Sequence, residues 1–365
     1  MRKRMMMLLA SLALPLAVNA QSDIVMVVSG YGAGHGETRP GYEFDELAQA
    51  YLIFRDNGLT VDIASPQGGK VEADELDPEK PYNKRLLADA DAVKKLDNTL
   101  SLDQLTDASY RAVFVVGGKG AMFDLPRSPA LQQLLRRTWQ RDGVVAAVCH
   151  GPAAFADLRL DDGKPLVQGK TVTGFSNAEE QLFGKKWRAQ FPFQLQDKLI
   201  SNGARFEHAD IMLSKVVVDG RLITGQNPYS TTATADAVVR ALGKTPRARE
   251  PYPDERSIAL LTRLLAGEQQ WAKSELARAA SQYDVPLIAM YGYIRLRAAT
   301  EPTDKQSAID IMSLASAHWY HPQLMLALAQ GHKDLQQLPQ ARHVLTQLLA
   351  KEPELAAAKE LLATL

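Results

Sequence analysis

Cysteine is almost missing from this chain. Cys149 is the only one in 365 residues, so no intramolecular disulfide can form. An excess of charge of one sign is missing too, since 42 Lys and Arg face 42 Asp and Glu. Without a basic excess, the chain is not built for nucleic acid or an anionic membrane surface. No apolar run reaches the roughly 18 residues that mark a transmembrane helix. The G-x-G-x-x-G fingerprint is absent. Gly30-Tyr31-Gly32-Ala33-Gly34-His35-Gly36 has a glycine at every second position instead, which excludes a nicotinamide-dinucleotide loop there. No Cys/His cluster has ligand spacing, so neither a metal nor an organic cofactor is expected.

The N-terminus carries a targeting pattern. Arg2-Lys3-Arg4 precedes an apolar stretch from Met5 to Val18, broken by Pro15, and Val18-Asn19-Ala20 offers small residues before a cut at Gln21. Residues 1–20 therefore read as a secretory signal peptide. About 14 apolar residues is short for a membrane span. The expectation is an exported protein, periplasmic in a Gram-negative bacterium. Without these residues the chain keeps 39 basic and 42 acidic side chains, again with no basic excess.

Residues 24–28, 112–116 and 144–148 are apolar runs, the mark of parallel strands buried on both faces, and 59–64 reads as a further strand. Residues 42–56 have helical spacing, with Phe44, Leu47, Ala48, Tyr51 and Leu52 on one face and Gly58 as the stop. Further helices are predicted near 83–96, 131–139 and 230–242, with a short strand at 171–174. Asp219-Gly220 marks a hairpin between residues 215–218 and 222–224. This alternation predicts a doubly wound α/β domain over 21–243. Its ligand site belongs at the carboxyl ends of the strands, where Gly30, Gly117 and Cys149 lie.

The most informative stretch is Val144 to Pro152. An apolar strand runs into Cys149-His150-Gly151, a sharp turn, and Pro152 falls in the first turn of a helix. A thiol at a helix N-terminus meets backbone N–H groups and the positive end of the macrodipole, which favour the thiolate. The alternative is a buried structural cysteine.

Residues 244–256 hold Pro246, Pro251 and Pro253 and read as a stiff linker. Beyond them, paired helices are predicted over 257–267 and 269–283, 286–299 and 305–317, and 322–335 and 338–351, then 353–364. Pro286, Pro322 and Pro353 recur at intervals of 36 and 31 residues, a helical-hairpin period. Leu328, Ala329, His332, Ala341, Leu345 and Pro353 resemble the packing positions of tetratricopeptide repeats, and the middle unit is closer to the Sel1-like variant. Such repeats present a concave surface to a protein partner. A generic helical cap is the alternative.

Several blocks resemble the ThiJ/PfpI superfamily, in the order of its heat-shock chaperone/glyoxalase III branch. They are Ala64 to Gly69, Val116 to Gly120 with Phe123 to Pro126, Val148 to Pro152, Gly169 to Phe175 and Asp219 to Pro228. The resemblance implies a class I glutamine-amidotransferase-like, flavodoxin-like sandwich. It makes Cys149 the nucleophile, His150 its adjacent histidine and Glu46 the acid that contacts the thiol. Helical spacing alone does not choose Glu46 over Glu43. Glu180 matches the acid that orients the histidine, although a capping box at Ser176 to Glu179 would leave it only a helix-dipole role. Gly118 and His150 would give backbone N–H groups to an oxyanion. Lys119 stands where many members of the branch have histidine, and His35 is a further candidate for the pocket. The implied activity is a cofactor-independent conversion of 2-oxoaldehydes such as methylglyoxal. The alternatives are a stress chaperone or redox sensor that binds through the repeats, or an amidase or peptidase. The sequence leaves a homodimer open.

Overall fold

Six of the strands read from the sequence stand side by side at the centre of the protein. The computed structural model describes residues 22–74, 76–105 and 108–365. The signal-peptide reading of 1–20 lies outside the described residues. In chain order the strands are β1 (Ile24–Val27), β2 (Val61–Ser65), β3 (Leu100–Ser101), β4 (Ala112–Val115), β5 (Val144–Val148), β6 (Thr171–Val172), β7 (Arg205–Phe206), β8 (Val216–Asp219) and β9 (Leu222–Gly225). Seven form one sheet in the order β3-β2-β1-β4-β5-β9-β8. Every pairing in it is parallel except β8 with β9, which the Asp219-Gly220 turn joins as a hairpin. β1, β4 and β5 are buried along their whole length, as parallel strands covered on both faces must be.

β1 pairs with β2 on one side and β4 on the other. The chain changes direction across the sheet at this point, and the carboxyl ends of β1 and β4 open a crevice there. The predicted helix after β1 spans Phe44–Asp56, and the one near 131–139 spans Pro129–Gln140, where Ser128 caps the N–H of Leu131. Three local readings differ from the structure. The stretch near 83–96 is two helices, Pro81–Leu87 and Ala90–Asp97, with Asp89 as the second N-cap. β6 does not join the main sheet but pairs with β7 in a separate ladder. The segment after Cys149 is only a 3-10 turn, Gly151–Phe155.

The C-terminal region is all helical: Pro253–Leu265, Gln269–Ala279, Val285–Ala298, Pro302–Ser316, Pro322–Asp334, Leu338–Lys351 and Ala356–Ala363. The first helix starts at Pro253, inside the stretch read as linker, because proline suits the first helical turn. Neighbouring helices approach closely through small residues. A Cβ on Gly292 would lie 2.7 Å from Met312 Cγ. Ile258, Leu261, Leu276, Ile288, Met312, Leu328 and Leu345 fill the core of this region.

The two regions are bolted together. Leu213, from the α/β part, is buried in the helical core, and beside it Asp210 pairs with Arg295. On the other side Asp254 accepts from Tyr82 Oη at 3.0 Å and from Gln49 Nε2 at 3.3 Å.

Candidate active site

Cys149 sits just past β5 at φ 60°. A left-handed backbone costs a non-glycine residue roughly 1–2 kcal/mol. It persists where neighbours over-determine it, and here they do. The Cys149 N–H donates to Gly225 O at 2.9 Å, and its carbonyl accepts from Phe175 N–H at 2.8 Å. The turn throws the side chain back over the end of the sheet, toward the helix that follows β1.

Glu46 lies on that helix and is fully buried. Its Oε2 accepts from Gly117 N–H at 2.7 Å, and its carboxyl bonds the Cys149 thiol. Oε1 is buried with no hydrogen-bond partner of its own. Gly117 leaves room for the contact: a Cβ there would lie 2.7 Å from Cys149 Cβ, from Glu46 Oε2 and from Val148 O. Gly118, at φ +91°, turns its N–H to the thiol, and a Cβ on it would strike Tyr42 and Glu43 backbone atoms at 2.5–2.6 Å.

On the other side of the sulfur, His150 Nδ1 is 3.4 Å from Cys149 Sγ. His150 Nε2 is 2.8 Å from Glu180 Oε2. An ionised Glu180 accepts from Nε2–H, which leaves Nδ1 as an acceptor for the thiol proton. Glu180 follows a capping box in which Ser176 and Glu179 bond reciprocally, so this helix start both caps itself and carries the acid. Glu179 is fully buried. Its oxygens accept from Ser176, Met212 N–H, Gln226 Nε2 and Asn227 Nδ2, all at 2.8–2.9 Å, which fixes the backbone next to Glu180.

The charges in this cluster are coupled. Burial pushes the Cys149 thiol well up, and the neighbouring Glu46 charge adds to the rise, while Gly118 N–H opposes it. Burial likewise raises Glu46 well above the ordinary carboxylate range, helped by Glu43. Two adjacent buried groups of like charge do not both ionise, so the pair retains a proton at neutral pH. The depressed thiol expected from a helix macrodipole is therefore not what this environment produces. The turn after Cys149 is too short to carry much dipole, and two acids stand close by.

Glu43 is the second of those acids. Burial, with Asp45 and Asp74 adding to it, raises it to about 7 against the charges of Lys119 and Lys80. Half-exposed Lys119 thus has its ammonium near Glu43, at the edge of the cluster. His35 is not brought in. It is exposed on its loop, with its backbone N–H on Glu72 Oε2 at 3.2 Å. Among the described residues its side chain makes no hydrogen bond or ring contact with the cluster. Sequence reasoning gave Gly117 no role of its own, and Glu43 stayed an undecided alternative. The tight Gly-Gly pair just past β4 is the signal that points to the first. Chemically, the cluster offers a polarisable nucleophile, two proton carriers and N–H donors within one buried crevice.

Residues 38–241 match the DJ-1/PfpI family. A glutathione-independent glyoxalase of Schizosaccharomyces pombe is 30% identical over 234 residues, covering 61% of this chain and 98% of the relative. One from Saccharomyces cerevisiae is 32% identical over 217 residues, covering 54% and 87%. The crystal structure of glyoxalase III from Candida albicans aligns with TM-score 0.55 at 27% identity, covering 60% of this chain and 96% of that one. The family match ends before the helical region begins. With its sheet order, its strained cysteine turn and a match over more than half its length, this chain belongs to the DJ-1/PfpI family.

Proposed function

We propose that the protein is a glutathione-independent glyoxalase that converts 2-oxoaldehydes into 2-hydroxy acids, methylglyoxal into lactate. The observation that carries this reading is the contact of a buried thiol with a buried carboxyl on one side and a carboxylate-held imidazole on the other. The similarity to glyoxalases of three fungi supports it.

In this reading the Cys149 proton passes to His150 Nδ1 and the sulfur adds to the aldehyde carbon C1. The oxygen at C1 draws on the N–H groups of Gly118 and His150, then takes the proton from the imidazolium to give a hemithioacetal. Glu46 removes hydrogen from C1 as a proton and the electron pair forms an enediolate charged at the C2 oxygen. His150 moves the C1 hydroxyl proton to that oxygen, and as the C1 carbonyl forms Glu46 delivers a proton to C2. A carboxyl with a raised pKa is suited to both halves of that transfer, since it is basic when ionised and an effective acid once protonated. The product is a thioester, which water cleaves to the 2-hydroxy acid and free thiol. One water is consumed and no external oxidant or reductant is needed. Glu180 keeps Nε2 bonded and orients the ring, and Lys119 sets the potential at the rim through Glu43.

The leader-like segment at 1–20 supports export, and we assign the enzyme to the periplasm. A partner-binding role for the helical region is a second reading, favoured by the exposed Met290 and Tyr293. The test of the main reading uses residues 21–365. The protein is expected to consume methylglyoxal and release lactate, and Cys149→Ala to fall by about 1000-fold or more. Undiminished turnover by Cys149→Ala would overturn the assignment.

A further inference from the structure

Methylglyoxal carries only a methyl group beyond its two carbonyls, yet the surroundings of His150 hold far more apolar surface than a methyl can use. Two phenylalanine rings pack on the imidazole: Phe175 at 4.4 Å and Phe191 at 5.9 Å between centroids. Phe175 is buried and Phe191 half-exposed, so of the two rings Phe191 is the one that reaches solvent. Phe191 meets Phe123 edge-on at 5.5 Å, and Phe123 stacks on Tyr31 at 4.5 Å with the planes 8° apart. Phe123 and Tyr31 are also half-exposed.

These three rings come from separate parts of the chain. Tyr31 follows β1, Phe123 follows the Gly118 turn, and Phe191 follows the 3-10 segment at Lys185–Gln190. They do not drift into contact. Asp124 accepts from Ser29 Oγ at 2.9 Å and from Gly30 N–H at 2.7 Å, which locks the Tyr31 loop to the residue next to Phe123. Outermost, the Arg39 guanidinium lies over Tyr31 at 5.3 Å. A fixed, partly exposed aromatic surface leading away from a buried nucleophile is a recognition surface for an apolar substituent.

We infer that this wall, with Phe191 and Phe123 as its inner members, selects 2-oxoaldehydes whose substituent is an aromatic ring. The inference rests on the glyoxalase reading and adds the substrate class to it. The chemistry is unchanged. Sulfur bonds to C1 of an arylglyoxal, the C1 proton moves to C2, and water cleaves the thioester to a 2-hydroxy-2-arylacetate, mandelate from phenylglyoxal. The aryl ring lies against Phe191 edge-on or offset, a contact that methylglyoxal cannot make.

The test compares initial rates on phenylglyoxal and methylglyoxal for the mature protein, Phe191→Ala, and the milder Phe191→Leu and Phe123→Leu. The ratio of the two kcat/KM values is expected to favour phenylglyoxal by roughly tenfold. It should fall at least about fivefold in Phe191→Ala and by less in the leucine variants, which keep apolar bulk but lose the ring. Methylglyoxal turnover with a ratio near one, or with a ratio that none of the variants moves, overturns the aromatic wall and leaves the glyoxalase reading intact. Failure to consume either aldehyde overturns the glyoxalase reading, and this inference with it.

Discussion

In the α/β domain the deeply buried side chains include Glu46, His150, Glu179 and Glu180. In the helical region, among the described residues, only Asp254 and Ser257 are buried and polar, and the rest of the interior is apolar. Backbone strain follows the same division. Among the described residues, five non-glycine residues of the α/β domain have positive φ, Cys149 among them, against Gln336 alone in the helices. The helical region obeys local rules of small-residue contact, N-terminal proline and apolar stripe. The α/β domain breaks those rules at several points of its chain, and at one of them, Cys149, buried acids and a left-handed backbone meet at a single sulfur atom. Such violations are expected where a chain gives up stability for function. The comparison therefore separates residues that hold the fold from residues that serve the chemistry.

The sharpest way to break that division is Gly117→Ala. The added carbon would meet the Cys149 side chain, the Glu46 carboxyl and the Val148 carbonyl together. Activity on methylglyoxal should fall about 100-fold or more, because a displacement of about 1 Å at the reacting groups costs that much. Stability should fall by about 1–3 kcal/mol, measured by denaturant unfolding. Near-normal kcat would show that the packing around the sulfur is not what sets the rate.

Leu345→Ala is the counterpart in the helical region. Leu345 is fully buried in its core, and truncation should cost about 2–5 kcal/mol. The kcat/KM per folded molecule should stay within about twofold. A large loss of kcat in the folded variant would mean that the helices help to shape the site and would erase the distinction.

Much of this division was legible in the amino-acid sequence. Continuous apolar runs announced the buried parallel strands, and the step from Val148 into Cys149-His150-Gly151-Pro152 announced a thiol on a turn. The helical hairpins showed in the spacing of their prolines. Glu46 was different, because Glu43 shares its helix and its spacing. Only the family resemblance selected Glu46, and the structure shows both acids near the thiol, with Glu46 in contact. β3, β6 and β7 are two residues each, too short to carry a period. The thiol environment differs in sign from the helix-dipole expectation, because the segment after Cys149 is only a short turn and two acids stand near the buried sulfur. The Tyr82–Asp254 contact joins residues 172 apart, and no local pattern reports such a pair.

The smallest expected effect concerns Glu43. Its carboxyl, raised to about 7, is ionised above that pH, and its negative charge then pushes both Glu46 and the Cys149 thiol up. Glu43→Gln removes the charge. The pH midpoint for alkylation of Cys149 by iodoacetamide should move down, by about one unit or less. Stability should follow from linkage. A group whose folded pKa lies above its ordinary 4.5 stabilises the fold fully below that pH and loses the contribution as pH rises through about 7. The wild type should therefore lose stability relative to Glu43→Gln across that window. An alkylation midpoint that stays or rises would remove Glu43 from the electrostatics of the thiol.

The central claim is that a buried carboxyl beside a buried thiol carries a proton from C1 to C2. Turnover of methylglyoxal in deuterated water, with the lactate read by proton NMR, tests it most directly. Transfer through Glu46, whose protonated carboxyl exchanges with solvent while the enediol is held, predicts deuterium at C2 of the lactate. Lactate with protium alone at C2 would mean that hydrogen crosses directly between the carbons, and would contradict the account.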